Sequence, residues 1–391
     1  MRYYIIAGEA SGDLHGSNLM KGLYAEDPGA VIRFRGGELM EKVCRQMGPA
    51  DAKDAGMAYD YRSGAVMGLV EVLAKARKLL DALEDCKEDV FEFQPDVLIL
   101  IDYPGFNLKM AQWAHKMGIK VFYYIAPKVW ASREGRVRKL RKYVDRLFIV
   151  FPFEKPFFEK HGIPYKYCGN PLVDAVELSP ALKQSRDEFL QEIGVHPSQR
   201  VVAMLAGSRL AEVKTMMPMF LETASILRSK PQFNDLVFVV AGAPGRKVED
   251  YGSYYPQYFK LVFGKTQQIV RSADVAAINS GTASLEAALL GTPQVVAYKF
   301  PSKITYFIGR LIVKVKYISL GNLCLDKLAF KELYTPETCT APVLAAELER
   351  LLTDEPYRRA MLNDYTAIRQ SLGGRGASRA VARAMIEELK A

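Results

Sequence analysis

Apolar residues in this chain fall into short continuous runs separated by stretches of helical periodicity. Runs at 3–7, 31–35, 97–101, 121–125 and 147–150 predict strands. The unbroken run at 97–101 is of the kind buried on both faces of a parallel sheet. Between these runs, 14–26, 66–87 and 108–117 predict helices, with Leu69, Val72, Leu73, Ala76 and Leu80 on one face of the second. The alternation then begins again. Strands are predicted at 201–205, 237–240, 275–278 and 295–297, with helices at 215–228 and 282–290 between them. Strand–helix alternation implies an α/β fold with a doubly wound parallel sheet, and two such runs imply two Rossmann-like domains. Turn residues between Gly169 and Pro180 interrupt the pattern and place the boundary there, giving domains at 1–171 and 172–391. The stretch 345–391 reads as helical and charged, broken at Gly373-Gly374-Arg375-Gly376 before a final helix at 377–390. Such a tail returns to the first domain or packs on a partner chain.

Composition narrows the classes. A chain of 391 residues with 49% apolar residues can bury two cores, and 25% charged residues is ordinary for a soluble protein. A net charge of +9 favours anionic partners. The cysteines at 44, 86, 168, 324 and 339 form no CxxC pair, and the histidines at 15, 115, 161 and 196 no HxxxH pair. No structural zinc site is expected, and scattered cysteines suit a reducing compartment. No apolar run approaches the ~18 residues of a membrane span. The first strand enters a glycine turn rather than a signal-peptide core.

Candidate chemistry sits where strands end. Ser280-Gly281-Thr282 joins a strand to a helix start, where free N–H groups and the helix dipole suit a phosphate, and Glu286 lies a turn further in, within reach of a ribose diol. The same string also suits close helix–sheet packing. Arg209, after Leu205-Ala206-Gly207-Ser208, can bind a diphosphate bidentately, with Glu212 orienting it or touching the ligand, or can form a helix-end salt bridge. Gly8-Glu9-Ala10-Ser11-Gly12-Asp13 lacks the GxGxxG spacing of dinucleotide binders, and its two acids suit hydroxyl or amine groups, or a helix cap. Asp102, at the end of run 97–101, can take a proton from a sugar hydroxyl or stabilise a turn before Pro104. Lys299, Lys303, Arg310, Lys314 and Lys316 alternate with aromatics such as Tyr306, Phe307 and Tyr317, as at an anionic lipid surface or on a solvated helix. No motif for reading nucleic acid accompanies them.

These motifs, taken in order, resemble the lipid-A-disaccharide synthase family. The match runs through Gly8–Asp13, Met67-Gly68 with Glu71-Val72-Leu73, Ile101–Asn107, Pro127 with Val129-Trp130-Ala131, Phe151-Pro152-Phe153-Glu154, Gly207-Ser208-Arg209 and Ser280–Glu286. The resemblance implies a GT-B glycosyltransferase with an acceptor-binding N-terminal domain and a UDP-sugar-binding C-terminal domain. It implies inverting, metal-free transfer, with no cofactor, of 2,3-diacylglucosamine from UDP-2,3-diacylglucosamine to 2,3-diacylglucosamine 1-phosphate, giving a β-1,6 disaccharide and UDP. It implies a protein peripheral on the cytoplasmic face of the inner membrane, able to form dimers with exchanged C-terminal segments. Carried over position by position, it makes Asp102 the base, with Asp13 the second candidate. Glu9, Ser11 and Asn107 belong to the acceptor side, and Arg209, Glu212, Ser280, Gly281, Thr282, Glu286 and Asn322 to the donor side. Gly105 stands where a second Asp is usual, Ala206 and Gly321 each replace a Pro, and Asn170 replaces a His. Lys128 and Ser132 alter the stretch around Trp130, which bears on acyl-chain handling. Rival readings are another UDP-sugar enzyme on the same fold, such as a UDP-N-acetylglucosamine epimerase or a peptidoglycan glycosyltransferase, or a non-catalytic nucleotide-sugar binder.

Overall fold

A computed structural model describes residues 1–64, 71–131, 134–252, 258–279, 281–300 and 315–391. The chain forms two compact units, residues 1–171 with 373–391, and residues 172–372.

The first unit is a seven-stranded parallel sheet ordered β3-β2-β1-β4-β5-β6-β7. Its strands are β1 (Arg2–Ala7), β2 (Val31–Gly36), β3 (Gly56–Asp60), β4 (Val97–Ile101), β5 (Lys120–Tyr124), β6 (Arg146–Ile149) and β7 (Tyr165–Tyr167). The helices are α1 (Ala10–Glu26), α2 (Glu38–Met47), α3 (Glu71–Phe93), α4 (Pro104–Lys116), α5 (Val137–Tyr143) and α6 (Glu154–Lys160). Because alternate strand residues face opposite ways, one continuous apolar run serves two cores. Tyr3, Ile5, Val97, Ile99 and Ile101 join Leu19 and Leu23 of α1 and Met40 of α2. Tyr4, Ile6, Leu98 and Leu100 join Leu83 and Val90 of α3, Met110 of α4 and Leu140 of α5. Helix α3 runs on past the expected end at 87, and its described part buries Leu83, Cys86, Val90 and Phe93. Of the expected stripe, Leu80 is 53% exposed, and the side chains of Leu69, Val72, Leu73 and Ala76 lie outside the described residues.

The second unit is a six-stranded parallel sheet ordered β10-β9-β8-β11-β12-β13. Its strands are β8 (Val201–Leu205), β9 (Val237–Gly242), β10 (Phe259–Phe263), β11 (Val275–Ile278), β12 (Gln294–Ala297) and β13 (Glu332–Leu333). Helices α7 (Pro171–Glu177), α8 (Arg186–Glu192), α9 (Leu210–Arg228), α10 (Thr266–Ser272), α11 (Thr282–Leu290), α12 (Leu320–Leu325), α13 (Ala341–Thr353) and α14 (Glu355–Leu372) complete the order to Leu372. Helix α11 ends where Gly291 adopts φ 80°, a left-handed stop that glycine takes without strain.

The final helix, α15 (Ala377–Lys390), belongs to the first unit. Its apolar stripe of Val381, Ala382, Met385 and Ile386 joins the core that α1 covers. Gly22 of α1 makes the approach possible, since a Cβ there would lie 2.9 Å from the Ala382 Cβ. Arg379 and Arg383 pair with Glu26 and hold its carboxyl down at about 2. Glu388 pairs with Arg146 and, at 3.0 Å, with Lys166. No described helix is long and apolar enough to cross a membrane.

Candidate active site

In an open parallel sheet, loops that leave neighbouring strands in opposite directions open a crevice at the carboxyl edge, where ligands bind. In the first unit the strand order reverses between β1 and β4. The two strand-to-helix junctions there span Gly8–Asp13, into the first turn of α1, and Asp102–Asn107, into the first turn of α4. Asp102 and Tyr103 both take left-handed backbone angles, φ 42° and 45°. Such geometry costs about 1–3 kcal/mol per residue and needs external support. Support comes from Asn107, whose Nδ2 donates to the carbonyls of Ile101 at 3.1 Å and Asp102 at 2.9 Å. The buried Tyr123 hydroxyl donates to the same Asp102 carbonyl at 2.5 Å. Pro104 follows at the first turn of α4, where its fixed φ is tolerated.

The second loop is locked to the first by contact. A Cβ on Gly8 would lie 2.3 Å from the Tyr103 ring. Glu9 stands at the N-cap position of α1 with its side chain making no capping hydrogen bond; it accepts from the Ser11 hydroxyl at 3.1 Å, and both residues are exposed. Burial, and then the negative charge of Glu9, push the Asp102 carboxyl above its ordinary value, while Lys128 opposes them. Asp102 is thus a half-buried carboxylate of enhanced basicity, suited to accepting a proton.

Two expected site residues are engaged within the chain. The Asp13 carboxylate is buried and accepts from the backbone N–H groups of Gly37, Leu39 and Met40 at 3.0–3.1 Å, capping the start of α2. That geometry does not suit a base. Asn107 is fully buried and holds the Asp102 loop instead of facing the acceptor side. Both roles depend on backbone brought in by folding, which the local sequence does not show.

A buried acid that the sequence reading did not single out stands nearby. Glu154 is 1% exposed and accepts from the Trp130 indole at 3.1 Å and from the N–H groups of Val150 and Phe151 at 3.1 and 3.0 Å. Burial pushes its carboxyl up to about 7, against the pull of those hydrogen bonds and of Lys128. Glu154 pins the loop carrying Lys128 and Trp130 to the end of β6. The sequence signal was an acid set directly behind the aromatics Phe151 and Phe153.

In the second unit the order reverses between β8 and β11. The loop 206–209 there is tied to the end of β11 by Asn279, whose N–H donates to Leu205 O at 2.8 Å and whose Nδ2 donates to Ala206 O at 3.1 Å. Gly207 has φ 102°, and a Cβ on it would lie 2.5 Å from Glu212 Oε2 and 2.6 Å from Asn279 Nδ2. Glu212 Oε2 accepts from the N–H groups of Ser208 and Arg209, and Oε1 pairs with the Arg209 guanidinium at 3.1 Å. Arg209 keeps 81% of its side chain exposed, so its remaining donors stay available to an anion. Gly281 offers no side chain to the first turn of α11, and Thr282 is exposed beside it. Ser280 lies outside the described residues. Glu286 accepts from Gln267 Nε2 at 3.1 Å, and burial raises its carboxyl.

Asn322 does not reach toward a ligand. It is fully buried, donating to Phe330 O and Glu332 Oε1 and accepting from the N–H groups of Ala329 and Phe330, so it fastens α12 to the approach to β13. Of the expected lipid-facing cations, Lys303, Arg310 and Lys314 lie outside the described residues. Lys316 pairs with Asp326 at 3.5 Å and lies over the Tyr317 ring.

At its strand reversal the first unit thus carries a half-buried carboxyl of raised proton affinity, and the second an exposed guanidinium. A family profile described as lipid-A-disaccharide synthetase matches residues 3–385. A lipid-A-disaccharide synthase of Geobacter metallireducens is 37% identical across 99% of this chain and 97% of its own length. That of Syntrophus aciditrophicus is 37% identical across 96% and 94%. Among solved structures, a UDP-GlcNAc 2-epimerase from Neisseria meningitidis bound to UDP-GlcNAc covers 99% of this chain and all of its own at 13% identity, with a TM-score of 0.69. The glycotransferase of kitacinnamycin covers 99% and 98% at 15% identity and a TM-score of 0.61. At such identities these structures speak for the fold alone, which is the two-domain GT-B arrangement.

Proposed function

The chain belongs to the lipid-A-disaccharide synthase family, and we propose that, as such a glycosyltransferase of lipid A biosynthesis, it moves 2,3-diacylglucosamine from its UDP derivative onto 2,3-diacylglucosamine 1-phosphate. The observation that carries this reading is that each sheet presents such groups at its own strand reversal, Asp102 supported by Asn107 and Tyr123 in one and Arg209 with the α11 start in the other. The Asp102 carboxylate takes the proton from the acceptor's 6-hydroxyl as that oxygen attacks the anomeric carbon of the donor sugar. The bond from that carbon to the UDP oxygen breaks on the opposite face, so the centre inverts. The diphosphate leaves with the bonding electrons, stabilised by the Arg209 guanidinium and the N–H groups at the start of α11. Glu286 accepts from the ribose hydroxyls, and Glu212 orients Arg209. Glu9 and Ser11 hold acceptor hydroxyls. Gln267 and burial keep Glu286 in place.

Two further elements complete the proposal. The acylated substrates place the protein at the cytoplasmic face of the inner membrane. The face of α1 that receives α15 is also where an exchanged C-terminal segment would seat in a homodimer. The test of function is direct. Incubation with UDP-2,3-diacylglucosamine and 2,3-diacylglucosamine 1-phosphate in neutral detergent should yield the disaccharide 1-phosphate and UDP in equal amounts. Isomerised UDP-sugar without acceptor consumption, or UDP binding with no product, would sink the proposal in favour of an epimerase or a binding protein.

A further inference from the structure

Between Tyr103 and Val144 the sequence holds ten lysines and arginines against one acid, Glu134, an excess of nine. The net charge of the whole chain is also +9, so the rest of the molecule is neutral in sum. The fold concentrates this excess, because α4 and α5 cover the same face of the first sheet, side by side over one core. Their outer ends meet where the rings of His115 and Tyr143 touch edge-on at 5.7 Å. Lys109 and Lys116 of α4, and Arg138, Lys139, Arg141 and Lys142 of α5, are all exposed. None of the six forms an ion pair with a described residue, although the chain carries 44 acids. Unpaired cations repel one another, so such a cluster costs stability unless an anion covers it.

Apolar groups share the face. Met117 is 47% exposed at the end of α4, and Trp113 and Tyr143 are half-buried. Amphipathic rings among long cationic side chains suit the level of lipid headgroups, where stems and rings meet the acyl boundary and charges meet phosphate. The neighbouring helix α3 is charged the other way, with Asp81, Glu84, Asp85, Glu88 and Glu92 exposed. Attraction is therefore confined to α4 and α5, which fixes an orientation. One end of this face is the sheet edge that carries Asp102, two residues before α4 begins at Pro104.

We propose that the α4–α5 face is the surface by which this protein docks on an anionic bilayer. The inference rests on the proposed function for its choice of occupant, since both substrates carry acyl chains and reside in a membrane. It assigns a lipid-facing role to a face of the first unit; residues 301–314 of the segment read as lipid-facing in the sequence lie outside the described residues.

The test is co-sedimentation of the full chain with vesicles of phosphatidylcholine, with and without a third of phosphatidylglycerol. Each cation near such a surface contributes roughly a factor of five in affinity. The triple variant Arg138→Glu, Arg141→Glu, Lys142→Glu should lose anionic-vesicle binding by more than about a hundredfold, and the matching Gln variant by on the order of a hundredfold. A control, Lys183→Glu with Lys214→Glu on the second unit, should bind as wild type. Salt should weaken wild-type binding and leave the residual binding of the triple variant unchanged. Retained binding by the triple variant, equal binding to neutral vesicles, or capture by a polynucleotide in preference to vesicles would overturn the proposal. Turnover in neutral detergent separates the two claims: the triple variant should keep it. Absence of turnover in wild type counts against the function, and loss of vesicle selectivity counts against the surface.

Discussion

Replacing Gly8 by Ala probes the coupling of the two acceptor-side loops without touching any reacting group. The new methyl would lie 2.3 Å from the Tyr103 ring, where ordinary contact begins at about 3.4 Å, so ring and methyl must separate by about 1 Å. Tyr103 cannot absorb this by backbone relaxation, because it and Asp102 already sit at φ 45° and 42°. Asn107 and Tyr123 hold the carbonyls on either side. The movement therefore reaches Asp102. Overpacking of this kind costs about 1–3 kcal/mol of stability, and a 1 Å misplacement of a reacting group costs about a hundredfold in rate. The expected result is a folded protein with a lowered unfolding midpoint, kcat reduced ten- to a hundredfold in order of magnitude, and unchanged UDP affinity, since UDP is assigned to the second unit. Urea unfolding, steady-state transfer and calorimetry with UDP read the three quantities. Wild-type kcat in Gly8→Ala would refute the argument that the Gly8–Tyr103 contact positions Asp102.

Arg209→Ala should weaken UDP binding by about ten- to a hundredfold in calorimetry, the range of a charge-assisted hydrogen bond, while leaving the unfolding midpoint nearly unchanged because its pair with Glu212 is exposed; unaltered UDP affinity would move the donor site elsewhere. Glu154 binds its proton more tightly folded, at about 7, than unfolded, at about 4.3. Its contribution to stability is therefore fully present below the unfolded value and is lost as pH rises through 7, an effect of about 3 kcal/mol in order of magnitude. Glu154→Gln should flatten the dependence of the urea midpoint between pH 5 and 8 by a comparable amount, and an equally steep dependence in the variant would show that another group carries it.

The strands at 97–101, 201–205 and 275–278 and the helices at 282–290 and 377–390 have the same limits in the sequence pattern and in the fold. Each is an unbroken apolar run or a segment bounded by glycine, so its limits are set locally. The edge strands β3 and β7 went unseen because they are short, half-buried and mixed in polarity, as Gly56–Asp60 and Tyr165–Tyr167 show. Membership of α15 in the first unit was open in the sequence, because the stripe of Val381, Met385 and Ile386 names no partner. At the site, local composition pointed to Asp102, just after β4, Arg209, at the N-cap of α9, and Glu286, one turn into α11. The roles of Asp13, Asn107 and Asn322 were not legible. Each acts on backbone that folding brings in, from the N–H groups of Gly37–Met40 to the carbonyl of Phe330.

The account stands on Asp102 as the acid that activates the acceptor hydroxyl, and pairing transfer kinetics with UDP calorimetry in Asp102→Asn tests it most directly. The amide keeps the size of the carboxylate and cannot take the proton. Turnover should fall by about a hundredfold or more, with UDP affinity and unfolding midpoint close to wild type. Near-wild-type transfer, or parallel losses of transfer, UDP binding and stability, would contradict it.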